Sequence, residues 1–302
     1  MRFLLFSDLH FYPGVWDGGT FEDLELLQRR AQETNCDFMI HAGDFAHGKP
    51  NADPFIEAYN NFSIPSYHCL GNHDSDMTTI EETLRKYKMP NGYYYFDCKG
   101  YRMIIVDPNY LYHEGEYIHF SGIEYRYHGA ERDFVPPEQL AWLEKTIAES
   151  PYPCILISHE SFERPDGVQN RAEVLKIINE ANRRKKNSVI LCINGHYHRD
   201  HIRILNNVCY FDMNSASFEW IDGPHNLYPE EEMKAYSHSK YTLIYDDPLH
   251  AIVTIEGNTI TIEGMESTMR HGITRAMTDN PLLDPAGREM TPTVQSAKIT
   301  LG

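Results

Sequence analysis

Residues 67–74, Tyr67-His68-Cys69-Leu70-Gly71-Asn72-His73-Asp74, decide the reading of this chain. A short apolar run ends at a glycine. Three side chains follow that can hold a cation, pass a proton and carry a negative charge. Four other runs end in the same manner. Residues 2–7 lead to Asp8-Leu9-His10, and residues 36–42 to Gly43-Asp44. Residues 154–157 lead to Ser158-His159, and residues 189–193 to Asn194-Gly195-His196-Tyr197-His198. Short apolar runs bounded by turn residues read as buried strands. In open α/β sheets, sites assemble outside the carboxyl ends of the strands. Loops far apart in sequence are therefore expected to meet.

Between these strands the spacing predicts helices. One covers 21–35, with Leu24, Leu27 and Ala31 on one face and Thr20 as its cap. Others cover 53–62, 78–87 with a cap at Thr78 or Thr79, a stretch opening at Pro136-Pro137, and 171–185. Residues 93–96 and 101–106 read as antiparallel strands on a tight turn. Residues 107–137 read as irregular and aromatic, with Tyr110, Tyr112, Tyr117, Phe120, Tyr125 and Tyr127. Later strands come without helices: 208–212, 241–245, and a hairpin of 251–256 and 259–263 around Gly257-Asn258. From about Glu266 the periodicity fades. The expected architecture is a layered α/β sandwich forming one domain over 1–265. Its motif-bearing part is 1–215 and its β-rich completion 216–265, with 266–302 a C-terminal tail draped on the surface or partly disordered.

The formal charge of −17 argues against a surface built to coat a nucleic acid, since a phosphate backbone demands a basic footprint. It leaves room for a small anionic substrate, because bound cations invert the local field. The six cysteines show no short pairing and no CxxC, which points to reduced thiols and, by default, the cytoplasm. Asp8 breaks the first apolar run too early for a secretory leader, and no run reaches membrane-spanning length.

The donors at the strand ends are imidazoles, carboxylates and one amide. That set suits manganese, iron, zinc or nickel and is too rich for one zinc. Two cations sharing a carboxylate would activate a water and neutralise phosphoryl oxygens. His196 and His198 are two apart, which in extended backbone puts them on one side.

In order, D-x-H, G-D, G-N-H-D, a lone H and G-H-x-H resemble the calcineurin-like metallophosphoesterase superfamily, over roughly the first two-thirds of the chain. The resemblance implies two facing mixed β-sheets flanked by helices. It implies that Asp8, His10 and His198 hold one metal, that Asn72, His159 and His196 hold the other, and that Asp44 bridges both. A metal-bridging hydroxide would attack, His73 would meet the phosphoryl oxygen or protonate the leaving group, and Asp74 would orient His73.

Phosphoprotein phosphatases of the superfamily carry an Arg soon after the second Asp and a Glu after G-N-H. Here Phe45-Ala46-His47-Gly48 and Asp74 stand instead. The G-N-H-D form is similar to the cyclic-nucleotide phosphodiesterases and small bacterial phosphohydrolases. The implied substrate is a small phosphomonoester or phosphodiester, nucleotide-like ones included. A metal-dependent nuclease and a non-catalytic protein-interaction scaffold are the alternatives. Arg164 and His201 are further candidates for contact with substrate, Arg164 as a phosphate partner. His41 is expected in the core or behind the ligands. The oligomeric state and the metal pair are not encoded in these motifs.

Overall fold

The computed structural model describes residues 1–122, 130–278, 283, 287 and 289–302. Its elements follow in chain order. The first half runs β1 (Arg2–Phe6), α1 (Phe21–Glu33), β2 (Phe38–His41), α2 (Asp53–Asn60), β3 (Ser66–His68), α3 (Asn72–Ser75), α4 (Ile80–Lys86), β4 (Tyr94–Cys98), β5 (Tyr101–Ile105), β6 (Tyr110–His113), β7 (Glu116–His119) and α5 (Pro137–Ala148). The second runs β8 (Cys154–Ile157), α6 (Arg171–Arg184), β9 (Val189–Asn194), β10 (His201–Leu205), β11 (Val208–Asp212), β12 (Phe218–Trp220), α7 (Glu230–Ala235), β13 (Thr242–Ile244), β14 (Ala251–Glu256), β15 (Thr259–Glu263) and β16 (Ala297–Thr300).

Two six-stranded mixed sheets result, in the orders β16-β15-β14-β1-β2-β3 and β10-β11-β9-β8-β5-β4. Strand alternation explains why the motif-bearing runs are apolar throughout. Phe3, Leu5, Phe38 and Ile40 of one sheet meet Met103, Ile105, Ile155, Ile157, Leu191 and Ile193 of the other in a central core. The intervening Leu4, Phe6 and Met39 pack outward on Leu24, Leu27 and Ala31 of α1 and on Phe55 and Ile56 of α2. On the far side Ile104, Leu156 and Cys192 meet Leu143, Ile147, Val174 and Ile178 of α5 and α6.

Local signals set the helix starts. Thr20 and Asp23 form a reciprocal capping box on α1, and the Thr79 hydroxyl accepts from Glu82 N–H on α4. β1 pairs parallel with β2, β2 with β3, β5 with β8 and β8 with β9. Their carboxyl ends therefore lie along one edge of the sandwich, where the motif loops begin. All six cysteines are free. Among the described residues no helix is long and apolar enough to cross a membrane.

Three expectations are corrected. Part of the aromatic stretch after Val106 is a hairpin, with β6 and β7 paired antiparallel; Tyr125 and Tyr127 lie outside the described residues. β10 is an edge strand in a stretch to which the sequence assigned no element: Ile202, Ile204 and Leu205 are apolar, but the strand is short and half exposed to exposed. The stretch after Glu266 does not lie on the surface as a tail: β16 completes the first sheet beside β15, and Val294, Ile299 and Leu301 enter the central core. A four-residue strand separated from its neighbour by more than thirty residues leaves no periodic trace.

His41 and His68 form a neutral buried chain between β2 and β3. Gly43 N–H donates to His41 Nδ1 (3.2 Å), His41 Nε2–H to His68 Nδ1 (2.7 Å), and His68 Nε2–H to Asn60 Oδ1 (2.9 Å). A proton added to His41 would set its Nδ1–H against the Gly43 N–H. Burial holds His68 down at about 3 and His41 well below its ordinary value. Both folded values are depressed, so below about pH 6.5 the unfolded chain binds more protons and stability falls with pH. Each ring is expected to contribute ~1.4 kcal/mol per pH unit to that loss. Urea unfolding of metal-free protein at pH 7.5 and 5.5 reads it, and an unchanged slope in His68→Gln would remove these rings from the account.

Candidate dinuclear metal centre

Five residues at the converging strand ends adopt positive φ although none is glycine: Asp8 (52°), His10 (54°), Asp44 (50°), His196 (70°) and His198 (50°). Such backbone is unfavourable for side-chain-bearing residues and persists where the surroundings over-determine it. Glycines let the loops close. A Cβ on Gly43 (φ 99°) would sit 2.2 Å from His159 Nδ1, and one on Gly195 would sit 1.9 Å from Ser7 Oγ.

The side chains fall into two groups whose ligand-type atoms lie within 4.8 Å of one another: Asp8, His10 and His198, and Asp44, His159 and His196. His159 Nδ1–H donates to the Ala42 carbonyl (2.7 Å) and His198 Nδ1–H to the Phe218 carbonyl (2.8 Å), so both Nε2 atoms are turned inward. There acceptors crowd together. His198 Nε2 is 3.2 Å from His10 Nε2 and 3.4 Å from Asp8 Oδ1, and His159 Nε2 is 3.1 Å from Asp44 Oδ2. Asp8 Oδ1 and Asn72 Oδ1 are buried and accept no hydrogen bond. Buried acceptors without donors are costly unless a cation reconciles them. The donor set thus fits two bound cations.

Charge follows the same geometry. Burial opposes it, but His159 and His198 hold the Asp8 carboxyl down at about 2. Burial also opposes protonation of His159, and the Asp44 and Asp8 charges outweigh it, holding His159 well above the usual imidazole range. Without a cation the ring keeps a proton where a metal would sit. His196 is pushed down to about 4 by burial, then by His159.

Asn72 and His73 open α3, and His73 N–H donates to Asp44 Oδ1 (2.8 Å), which ties this turn to the centre. His73 is placed differently from the ligand groups. Its side chain is 32% exposed, and Nδ1–H donates to Asp76 Oδ2 (3.0 Å). Burial opposes it, but Asp44 and Asp76 raise His73 to about 9.

Asp74 does not orient His73, contrary to expectation. Its carboxylate points back under the loop and accepts from Gly71 N–H (2.7 Å), Asp44 N–H (3.0 Å), Phe45 N–H (2.9 Å), Ala46 N–H (3.0 Å) and Tyr87 O–H (2.7 Å). Neighbouring positions on a helical turn face different sides, whereas residues three apart share one. Had the turn at Asn72–Ser75 been read as helical, the spacing of His73 and Asp76 would have named the true partner. Asp74→Ala should strand those donors and lower stability by about 4 kcal/mol or more in denaturant unfolding. A loss below about 1 kcal/mol would show that the loop does not depend on it.

His47, His73 and Asp76 also bring ligand-type atoms within 4.8 Å. Trp16 Nε1–H donates to His47 Nε2 (3.1 Å), so the His47 proton is on Nδ1, 3.6 Å from Asp76 Oδ2. Asp76 thus sits between His47 and His73, hydrogen-bonded to His73 and within ion-pair reach of His47, and sequence reasoning missed it. Arg164 is not offered to a substrate. It is 8% exposed, forks onto Asp166 (3.0 and 3.0 Å), lies 3.6 Å from Asp212 and covers the Tyr197 ring. His201 stands on β10, its Nδ1 against Arg203 and 4.0 Å from Asp212 Oδ2.

The fold and the centre define a layered α/β hydrolase that works through paired cations. The calcineurin-like phosphoesterase model matches residues 1–200, and the chain belongs to that family. It is a metal-dependent phosphoesterase with a dinuclear site. Comparison with curated proteins finds no match. Among solved structures the chain is similar to a dimetal phosphatase from Danio rerio, with 13% identity and a TM-score of 0.53 over 89% of this chain and 98% of that one. It is also similar to GAP50, the anchor in the inner membrane complex of Plasmodium, with 14% identity and a TM-score of 0.56 over 100% of this chain and 89% of that one. At these identities the likeness is one of fold.

Proposed function

We propose that this chain hydrolyses a small phosphomonoester or phosphodiester, nucleotide-like substrates included. Asp8, His10 and His198 hold one cation, Asn72, His159 and His196 the other, and Asp44 lies between. The observation that carries this reading is the convergence of inward-turned acceptors, with Asp8 Oδ1 and Asn72 Oδ1 left without donors. Two bound cations supply an activated water and neutralise charge on the phosphoryl group. The residues do the rest. Asp76 fixes His73 through Nδ1, leaving Nε2 to face the phosphoryl oxygen and the leaving group. Protonated near neutrality, His73 gives its proton to the departing alkoxide.

The wall beside the first ligand group is aromatic. Phe218 lies 5.0 Å from both His10 and His198, Trp16 stacks on Phe218 (5.1 Å), and half-exposed Trp220 is 6.2 Å from His198. Trp16 and Phe218 are buried, so Trp220 is the ring of this wall that a planar leaving group such as a nucleoside would stack on. The charge of −17 opposes the nuclease alternative. The six free thiols suit a reducing compartment such as the cytoplasm.

Purified protein with Mn²⁺ should cleave bis-p-nitrophenyl phosphate and lose this in EDTA. A panel of cyclic nucleotides, dinucleotides and phosphomonoesters then fixes the substrate class. No turnover on any ester by metal-loaded protein would leave the scaffold reading standing.

A further inference from the structure

We infer that the segment after residue 265 positions one of the two ligand groups and leaves the other to separate supports. This rests on the two-cation reading of the centre. Its premise is the path by which Asp8, His10 and His198 are aimed. The Asp8 carbonyl accepts from Ser215 Oγ (2.8 Å) and Ser217 Oγ (3.1 Å). His198 Nδ1–H is held by the Phe218 carbonyl (2.8 Å), and the Phe218 ring lies against His10. The loop from Asn214 to Trp220 is therefore the rear support of this group.

That loop is in turn gripped by the segment beyond 265. Asn214 Nδ2 donates to the carbonyls of Thr291 (3.2 Å) and Thr293 (3.1 Å). Glu219, next to Phe218, is fully buried and pairs with Arg275 (2.6 Å), whose Nε–H donates to the Met290 carbonyl (3.0 Å). The grip extends to both flanking loops. Arg270 pairs with Asp17, beside Trp16. Gln295 N–H donates to Asp200 Oδ2 (2.7 Å), two residues past His198.

The other group is braced from elsewhere. His159 is held by the Ala42 carbonyl, and Asp44 by the turn that Asp74 collects. These two braces come from positions below 160, whereas His196, the third member, is tied to the first group, its N–H donating to Asp8 Oδ2 (3.0 Å). Outer partners of ligands commonly change metal affinity 10- to 100-fold when lost, because ligand orientation goes with them.

The experiment uses the full-length protein and Mn²⁺ alone. Equilibrium dialysis with metal analysis counts bound equivalents, and electron paramagnetic resonance separates a spin-coupled pair from isolated ions. Wild type should bind two equivalents as a coupled pair. In Arg275→Gln one equivalent should keep its affinity while the other weakens about tenfold or more, and isolated Mn²⁺ should replace the coupled signal at low loading. Arg275→Lys should restore part of the pair. Should Arg275→Gln fail to fold, Asn214→Asp keeps the oxygen that accepts from Ser215 N–H, removes the amide donor to Thr291 and Thr293, and should give the same split. Both equivalents binding as in wild type, or both weakening equally, would overturn the inference. Fewer than two equivalents in wild type would instead remove the two-cation reading beneath it.

Discussion

His73→Ala is expected to keep both cations and lose most turnover, on the order of 10²- to 10⁴-fold, the usual worth of a positioned general acid. The ring stands apart from the two ligand groups in its surroundings. It is partly exposed, its Nδ1–H is committed to Asp76, and Asp44 together with Asp76 favours its protonated form. The loss should shrink for substrates with good leaving groups such as p-nitrophenolate, which need no proton, and grow for alkyl esters. Asp76→Asn should cost less, on the order of 10- to 100-fold, because the amide still meets Nδ1 but without charge. Loss of metal from His73→Ala would make His73 a ligand and undo the assignment.

Asp44→Asn is the second large effect. Asp44 Oδ2 lies 3.1 Å from His159 Nε2 and 3.9 Å from His10 Nε2, so it stands between the two groups. The substitution keeps size and removes the charge that would face both cations under the proposed function, where Coulomb interactions are strongest because water is excluded. Metal content should fall from two equivalents to below one, with turnover down by about three orders of magnitude or more, as when a unit of the machinery is removed. The loop should remain folded, because Asp74 still collects the N–H groups of Asp44, Phe45 and Ala46. Two tightly held metals in Asp44→Asn would show that it is no bridge.

The convergence of these side chains was legible in the sequence because each candidate ligand lies at the end of a buried run. Such a run must become a strand to bury both faces, and parallel strands deliver their carboxyl ends to one edge. Asp8, Asp44, Asn72, His159 and His196 could therefore be grouped without any contact being known. The positive φ of Asp8, Asp44 and His196 was not legible, nor was the inward turn of Nε2 on His159 and His198, which depends on the carbonyls of Ala42 and Phe218 elsewhere in the chain. Asp74 shows the limit most sharply. Adjacency suggested that it serves His73, but a four-residue helix turned it under the loop and brought Asp76 forward. Arg164 shows both cases: Asp166 is a local partner two residues on, whereas Asp212 meets it only after the chain has folded back.

By itself the sequence determined the alternation of strands and helices and the family, and it named the candidate donor residues, because hydrophobic period and residue chemistry are local properties. The tertiary structure alone decided which carboxylate meets His73 and that the chain beyond 265 closes both the first sheet and the rear of one ligand group. Those choices depend on contacts between segments as distant as Glu219 and Arg275, where no local pattern records the partner.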